Sequence, residues 1–217
     1  MSTYLRNYSP LDKMISRLDQ CIRTLLVPAN EFSSTHPGAT LEESAELSST
    51  EKAKIASFMR INHSGEICAQ ALYIGQSWTA RDPRIAHALE HAAAEETMHL
   101  AWCAQRVKEL NAKTSYLNPV WFVGSLAIGI LAGLAGDKIS LGFLHETENQ
   151  VVKHLDKHLQ QLPTHDLKSK AILEQMKIDE ASHATLALQQ GAVHFPMWVK
   201  TTMQLTSKVM TTVTYYI

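Results

Sequence analysis

Two short stretches of the chain carry the same chemistry. Glu95-Glu96-Thr97-Met98-His99 and Asp179-Glu180-Ala181-Ser182-His183 each set an acid in front of a Glu-x-x-His. On a helix, residues i and i+3 share a face with their Cβ atoms about 5–6 Å apart, so a carboxylate oxygen and an imidazole nitrogen reach one cation. Mixed oxygen and nitrogen donors suit iron or manganese better than metals that seek thiolates. One such motif says little, because the glutamate and histidine content alone supplies roughly 0.7 occurrences by chance. The order along the chain is more specific. Glu66 stands 30 residues before Glu96, and Glu148 stands 32 before Glu180. The repeated order is therefore Glu, Glu-x-x-His, Glu, Glu-x-x-His. Four carboxylates and two neutral imidazoles carry a charge of about −4, which two divalent ions nearly balance.

Other spacings are weaker. His154-x-x-x-His158 and His87-x-x-x-His91 have the i,i+4 separation of zinc-binding helices but lack the glutamate of a metalloprotease motif, and are read as solvated faces. Cys21, Cys68 and Cys103 show no CxxC spacing, which excludes a cysteine-based zinc site and a disulfide scaffold and suits a reducing compartment. Cys103 reads as a small core residue. A formal net charge of −1 argues against a general nucleic-acid binder.

The six residues need four helices to hold them. Ser48-x-x-Glu51 reads as a capping box opening a helix that runs to about Thr79, and Asp82-Pro83 breaks it. Residues 84–111 lack Gly and Pro and are rich in Ala, Leu and Glu, a third run of helix formers after a short first helix over 11–27. Residues 138–161 and 166–190 read as two more helices separated by Leu162-Pro163. Residues 28–50 have a loop composition. The final segment, 197–217, carries Lys200 and Lys208 and no acid, and its Val-Thr-Tyr-Tyr-Ile end is less suited to helix. No alternating strand stands out, so the fold class is all-α: a ferritin-like four-helix bundle whose ligand order matches dinuclear carboxylate proteins. Residues 1–49 form an N-terminal extension with a short helix and a polar loop, and 50–217 the bundle domain.

Between the two halves lies PVWFVGSLAIGILAGLAG, residues 119–136, without a charge. Its length of about 27 Å as a helix approaches a bilayer core. A single crossing would put Glu66, Glu96 and His99 on one side and Glu148, Glu180 and His183 on the other, which a shared site forbids. The segment is therefore expected to be a crossover helix with an exposed apolar face that dips into one leaflet or lines a lipophilic entrance, with Trp121 and Phe122 as interface anchors and Leu126 among the membrane-contacting side chains. The N-terminus has no apolar signal core, which places the chain on the cytoplasmic side.

RINHSGEICAQALY, EETMH, the apolar block, ETENQVVKHLDKHL and DEASH together resemble the demethoxyubiquinone hydroxylase family of ubiquinone biosynthesis, from about residue 50 to the C-terminus. The resemblance implies a membrane-associated di-iron monooxygenase acting on the ring of a polyprenylated benzoquinol. It implies two iron ions, O2 as co-substrate and NADH as an electron source. Glu96 and Glu180 would bridge the irons, with Glu66 and His99 completing one and Glu148 and His183 the other; Glu146 is the rival to Glu148. Metal-bound histidines usually donate their other N–H to a carboxylate, which makes Asp179 and Glu95 the candidates to hold His99 and His183 across the bundle. His63, Tyr73 and His154 are further candidates behind the ligands. A homo-oligomer or a partner protein of ubiquinone biosynthesis suits the apolar face equally. The competing reading is a ferritin-like iron-binding protein or ferroxidase.

Overall fold

Ser48 starts the longest helix by the device its sequence suggested. Its hydroxyl accepts the Glu51 N–H at 3.3 Å, and the Glu51 carboxylate accepts the Ser48 N–H at 2.9 Å. Asp82 caps the next helix by accepting the Arg84 N–H, with Pro83 in its first turn, and Asp166 does the same for a later one through the Ser169 N–H. In the computed structural model, which describes residues 9–26, 36–42 and 47–217, seven α-helices follow one another and no strand occurs among the described residues. They are α1 (Pro10–Leu26), α2 (Ser49–Thr79), α3 (Pro83–Glu109), α4 (Asn118–Leu134), α5 (Asp137–Gln161), α6 (Leu167–Gln189) and α7 (Met197–Tyr216). Of the polar loop expected over 28–50, residues 28–35 and 43–46 lie outside the described residues, as does Val27 at the end of the first expected helix.

The bundle is built from α2, α3, α5 and α6. The pairs α2–α3 and α5–α6 pack along their lengths, and α3–α6 and α2–α5 contacts close the square. Two apolar clusters fill it. One contains Ile67, Tyr73, Leu89 and Leu144; the other contains Ile55, Met59, Cys103, Ile172 and Met176. Both crossover and C-terminal helices lie outside this square, against α2 and α5.

The crossover α4 is held close to α2 by glycines. A Cβ on Gly129 would overlap the Leu72 carbonyl oxygen, and one on Gly75 would overlap that of Leu126, so the two backbones touch where side chains normally intervene. Among the described residues no helix is long and apolar enough to cross a membrane. The expected exposed apolar face exists, but not through the expected side chains. Phe122 is buried in the core, Leu126 packs against the same cluster, and the Trp121 indole N–H is buried. Val120, Val123, Leu131 and Leu134 face outward instead. The aromatic pair faces inward because the tight glycine seam sets which side of α4 meets α2.

Helix α7 continues to Tyr216 despite its β-branched composition. The Arg60 guanidinium donates to the Tyr215 carbonyl at 3.0 Å, Thr214 is buried, and the Phe58 and Tyr215 rings lie 6.4 Å apart. Tertiary contacts and a cation at the helix C-terminus outweigh propensity here.

The reading of His154 and His158 as a solvated face is corrected. His158 is buried, stacks on Phe58 at 4.3 Å and pairs with Asn62 at 3.0 Å, while His154 has a buried ring nitrogen and sits 4.0 Å from the His158 ring. Burial pushes His154 down to about 4 and His158 to about 2, and pushes His63 to about 4. Below about pH 6.5 the unfolded chain takes up protons that these buried rings refuse. The contribution of these three rings is therefore complete above that pH and is lost as pH drops toward the folded values, by up to about 1.4 kcal/mol per pH unit for each ring. Urea denaturation at pH 7 and pH 5 is expected to show this loss, and His158→Phe to reduce the difference. An equal pH response in the variant would contradict the assignment.

Candidate metal centre

Glu66 comes from the middle of α2, Glu96 and His99 from α3, Glu148 from α5, and Glu180 and His183 from α6. All six are buried. They form two overlapping groups: Glu66, Glu96, His99 and Glu180, and Glu96, Glu148, Glu180 and His183. Within each group, one ligand atom per residue lies within 4.8 Å of the others. Glu96 and Glu180 belong to both. The Nδ1 of His99 lies 3.2 Å from Glu96, 3.1 Å from Glu180 and 3.9 Å from Glu66. The Nδ1 of His183 lies 3.2 Å from Glu180 and 3.5 Å from Glu96.

Each imidazole is held from behind by the other helix. His99 Nε2 lies 3.0 Å from Asp179, and His183 Nε2 lies 3.0 Å from Glu95. Ionised carboxylates only accept, so each Nε2 must donate, and Nδ1 is left to face the cluster. One residue of helix advance explains the exchange: Glu95 and Asp179 lie about 100° around their helices from Glu96 and Glu180. They therefore reach across the α3–α6 seam while their neighbours point inward. Gln175 donates to Asp179 at 2.9 Å, and His91 lies 3.2 Å from Glu95.

The electrostatics call for positive charge. Burial, then the charges of Glu96 and Glu180, hold Glu66 well above the usual carboxylate range, and burial with Glu180 does the same to Glu148. Burial opposes protonation of His183, but the Glu180 hydrogen bond and the Glu96 charge raise it to about 9. His99 is likewise raised against its burial by Asp179, Glu180 and Glu96. Glu180 falls to about 2, because His183 and His99 outweigh its own desolvation. Among the described residues no N–H group donates to either oxygen of the fully buried Glu148, and its neighbour is the Glu180 carboxylate. A carboxylate so placed without a donor is costly. Its oxygens, with those of Glu96 and Glu180 and the Nδ1 of His183, fit a hard divalent cation.

Glu146, the rival to Glu148, turns away: it pairs with Lys200 at 2.8 Å and accepts from Gln150 at 2.9 Å. Tyr73 is fully buried among apolar neighbours with an unpartnered hydroxyl. His63 is buried beside Asn118, 3.4 Å from its amide nitrogen. His154 belongs to the Phe58–His158 cluster rather than to either group. His87 and His91 are exposed, as expected, and line a cavity of about 220 Å³ between α3, α5 and α6 that reaches Glu95 and His183. The sequence reading missed Arg106, a fully buried cation bonded to Ser169 and Asp166. No spacing pattern marks it, because its partners lie 60 and 63 residues away.

Asp179→Ala is expected to leave the fold intact and weaken metal affinity about 10–100-fold by freeing the His99 ring. Isothermal titration with Mn2+ measures it, and wild-type affinity would remove Asp179 from its role.

A buried square of helices with a carboxylate–histidine cluster at its centre and an outer crossover helix defines a ferritin-like protein. Its likeness to the dodecameric thioferritin of Bacteroides fragilis, a bacterioferritin-related protein, agrees. That comparison has a TM-score of 0.56 at 15% identity and covers 69% of this chain and 88% of that one. The chain belongs to the family described as ubiquinone biosynthesis protein COQ7, whose model matches residues 53–214. Its relatives include proteins named 3-demethoxyubiquinol 3-hydroxylase. That of Ectopseudomonas mendocina is 52% identical over 98% of both chains. That of Nitrosomonas europaea is 51% identical over 95% of this chain and 99% of its own.

Proposed function

We propose that this chain is a 3-demethoxyubiquinol 3-hydroxylase, a monooxygenase that adds one hydroxyl to the ring of a polyprenylated benzoquinol during ubiquinone biosynthesis. The observation that carries the reading is its identity of about half, over nearly the full length, with relatives of that name. The buried cluster supports it. Glu66 and His99 would hold one iron, Glu148 and His183 the other, and Glu96 and Glu180 would be shared. When bound, the two irons would supply activation of O2 for transfer of one oxygen atom, with reducing equivalents drawn from NADH.

The chain's own residues prepare that chemistry. Asp179 and Glu95 keep both Nδ1 atoms aimed inward. The apolar residues that fill the bundle, Ile67, Leu144 and Met176 among them, would keep water from its interior. Residues 50–217 form the catalytic domain and 1–49 an extension. The exposed apolar side of α4 supports a peripheral position on the cytoplasmic face of the inner membrane, where the prenyl tail stays in lipid while the ring enters the bundle.

The test is the quinone profile, by mass spectrometry of lipid extracts, of bacteria lacking their own hydroxylase. Cells carrying the wild type should convert the accumulated demethoxy intermediate to ubiquinone, and cells carrying Glu96→Ala should not. If the wild type holds two irons per chain yet converts nothing, the hydroxylase reading fails and the iron-binding or ferroxidase reading replaces it.

A further inference from the structure

Helix α7 is almost entirely surface: Thr214 is its one buried residue, and contacts to α2 and α5 hold it. Along its outward side runs an apolar stripe, flanked by exposed threonines such as Thr202 and Thr212. Trp198 is 73% exposed, Leu205 60%, Val209 61% and Tyr216 78%. At about 100° per residue these four fall within about 20° of a single line along the helix. The stripe is roughly 27 Å long, with an aromatic residue at each end. The segment 197–217 contains Lys200 and Lys208 and no Asp or Glu, and α4 contains no charge at all. Lys200 turns inward to Glu146, while Lys208 is exposed.

The position of α7 adds to this. Both α4 and α7 lie on α2 and α5. Both therefore lie on the side of the bundle formed by α2 and α5, away from the α3–α6 seam.

From this arrangement we propose that α7 is a second membrane-contact helix: it lies in the interface of a bilayer containing anionic lipid, with Trp198, Leu205, Val209 and Tyr216 among the acyl chains and Lys208 at the headgroups. The proposal rests on the peripheral-membrane reading above and adds a second, cationic point of contact to α4. Charge selects the occupant. The outward side of α7 carries one exposed lysine, Lys208, and no carboxylate, which is complementary to anionic headgroups, whereas a second copy would set lysine against lysine. Tryptophan and tyrosine at the ends of an apolar stripe suit the water–lipid boundary.

The experiment is flotation of the full chain with vesicles of phosphatidylcholine alone and of phosphatidylcholine with phosphatidylglycerol, alongside sedimentation velocity without lipid. The double variant Leu205→Gln/Val209→Gln changes only exposed side chains and should keep the wild-type melting temperature and metal content. Its partitioning onto mixed vesicles is expected to fall at least about tenfold. Lys208→Gln should lose about fivefold on mixed vesicles and nothing on phosphatidylcholine. If the double variant floats like the wild type while Val123→Gln/Leu131→Gln on α4 does not, the role of α7 is overturned and the membrane reading stands. If the wild type binds neither vesicle, both fall. A wild-type dimer that the double variant dissociates, with vesicle binding unchanged, would give the stripe to a second copy and overturn the proposal.

Discussion

Glu96→Ala is expected to abolish metal retention and ring hydroxylation together. Glu96 is fully buried and belongs to both groups of ligand atoms, 3.2 Å from His99 Nδ1 and 3.5 Å from His183 Nδ1. On the proposed two-iron reading, its loss would remove a donor from each metal position and one of about four negative charges facing the cations. Loss of a group behind a metal-bound histidine typically costs about 10–100-fold in affinity, so loss of a shared ligand should exceed about a hundredfold. Thermal melting separates this from misfolding. At about 100 times its dissociation constant a metal stabilises by about 2.7 kcal/mol, or about 5–10 °C for a chain of this size. The wild type should show that rise with Fe2+ under anaerobic conditions or with Mn2+. Glu96→Ala and the isosteric Glu96→Gln should show none. Glu146→Gln, two residues from Glu148 but paired with Lys200, should rise like the wild type. A full melting shift in Glu96→Gln would remove Glu96 from the ligand set.

Arg106→Ala is expected to produce the largest loss of stability, about 3–5 kcal/mol. The guanidinium is 1% exposed and donates to Ser169 at 2.8 Å, Asp166 at 2.8 Å and Glu109 at 3.1 Å. Asp166 is itself 0% exposed and caps α6. Truncating the arginine leaves that carboxylate buried without its cation, which costs more than the pair contributes. The same joint carries the N-terminal segment. His36 reaches Glu109 at 3.2 Å, and Gly38 packs against the Lys168 backbone so closely that a Cβ would stand 2.7 Å from its carbonyl oxygen. The melting temperature should fall by about 6–20 °C. Asp166→Asn in the Arg106→Ala background should recover part of the loss, because the orphaned charge is removed. A double variant no more stable than Arg106→Ala would mean that lost packing, not the buried charge, sets the cost.

How far the sequence reaches differs from element to element. The helices between residues 49 and 189 were legible because each has local punctuation: the Ser48–Glu51 box, Asp82-Pro83 and Leu162-Pro163. The six cluster residues were legible because i,i+3 spacing is a property of one helix, and the repeated order needs only a count along the chain. The exchange of Glu95 and Asp179 across the seam followed from the same helical geometry. His154 and His158 were misjudged. Their i,i+4 spacing defines a face of α5, but whether that face meets water depends on Phe58 and Asn62, 100 and 96 residues from His158.

The sequence by itself determined what is local: helix ends, the ligand types, and the rule that both halves of the motif stay on one side of any membrane. Tertiary structure alone decided which faces those helices turn to one another. It buried Phe122 and exposed Val120 and Val123, because the glycine seam of α4 sets its rotation on α2. It kept α7 helical to Tyr216 against its composition, through Arg60 and Thr214. It also supplied the reason that Glu146, the rival that the sequence ranks below Glu148, stays outside the cluster: Lys200 from α7 pairs with it. Spacing within a helix fixes relative direction, but absolute direction comes from long-range packing, whose partners no local pattern names.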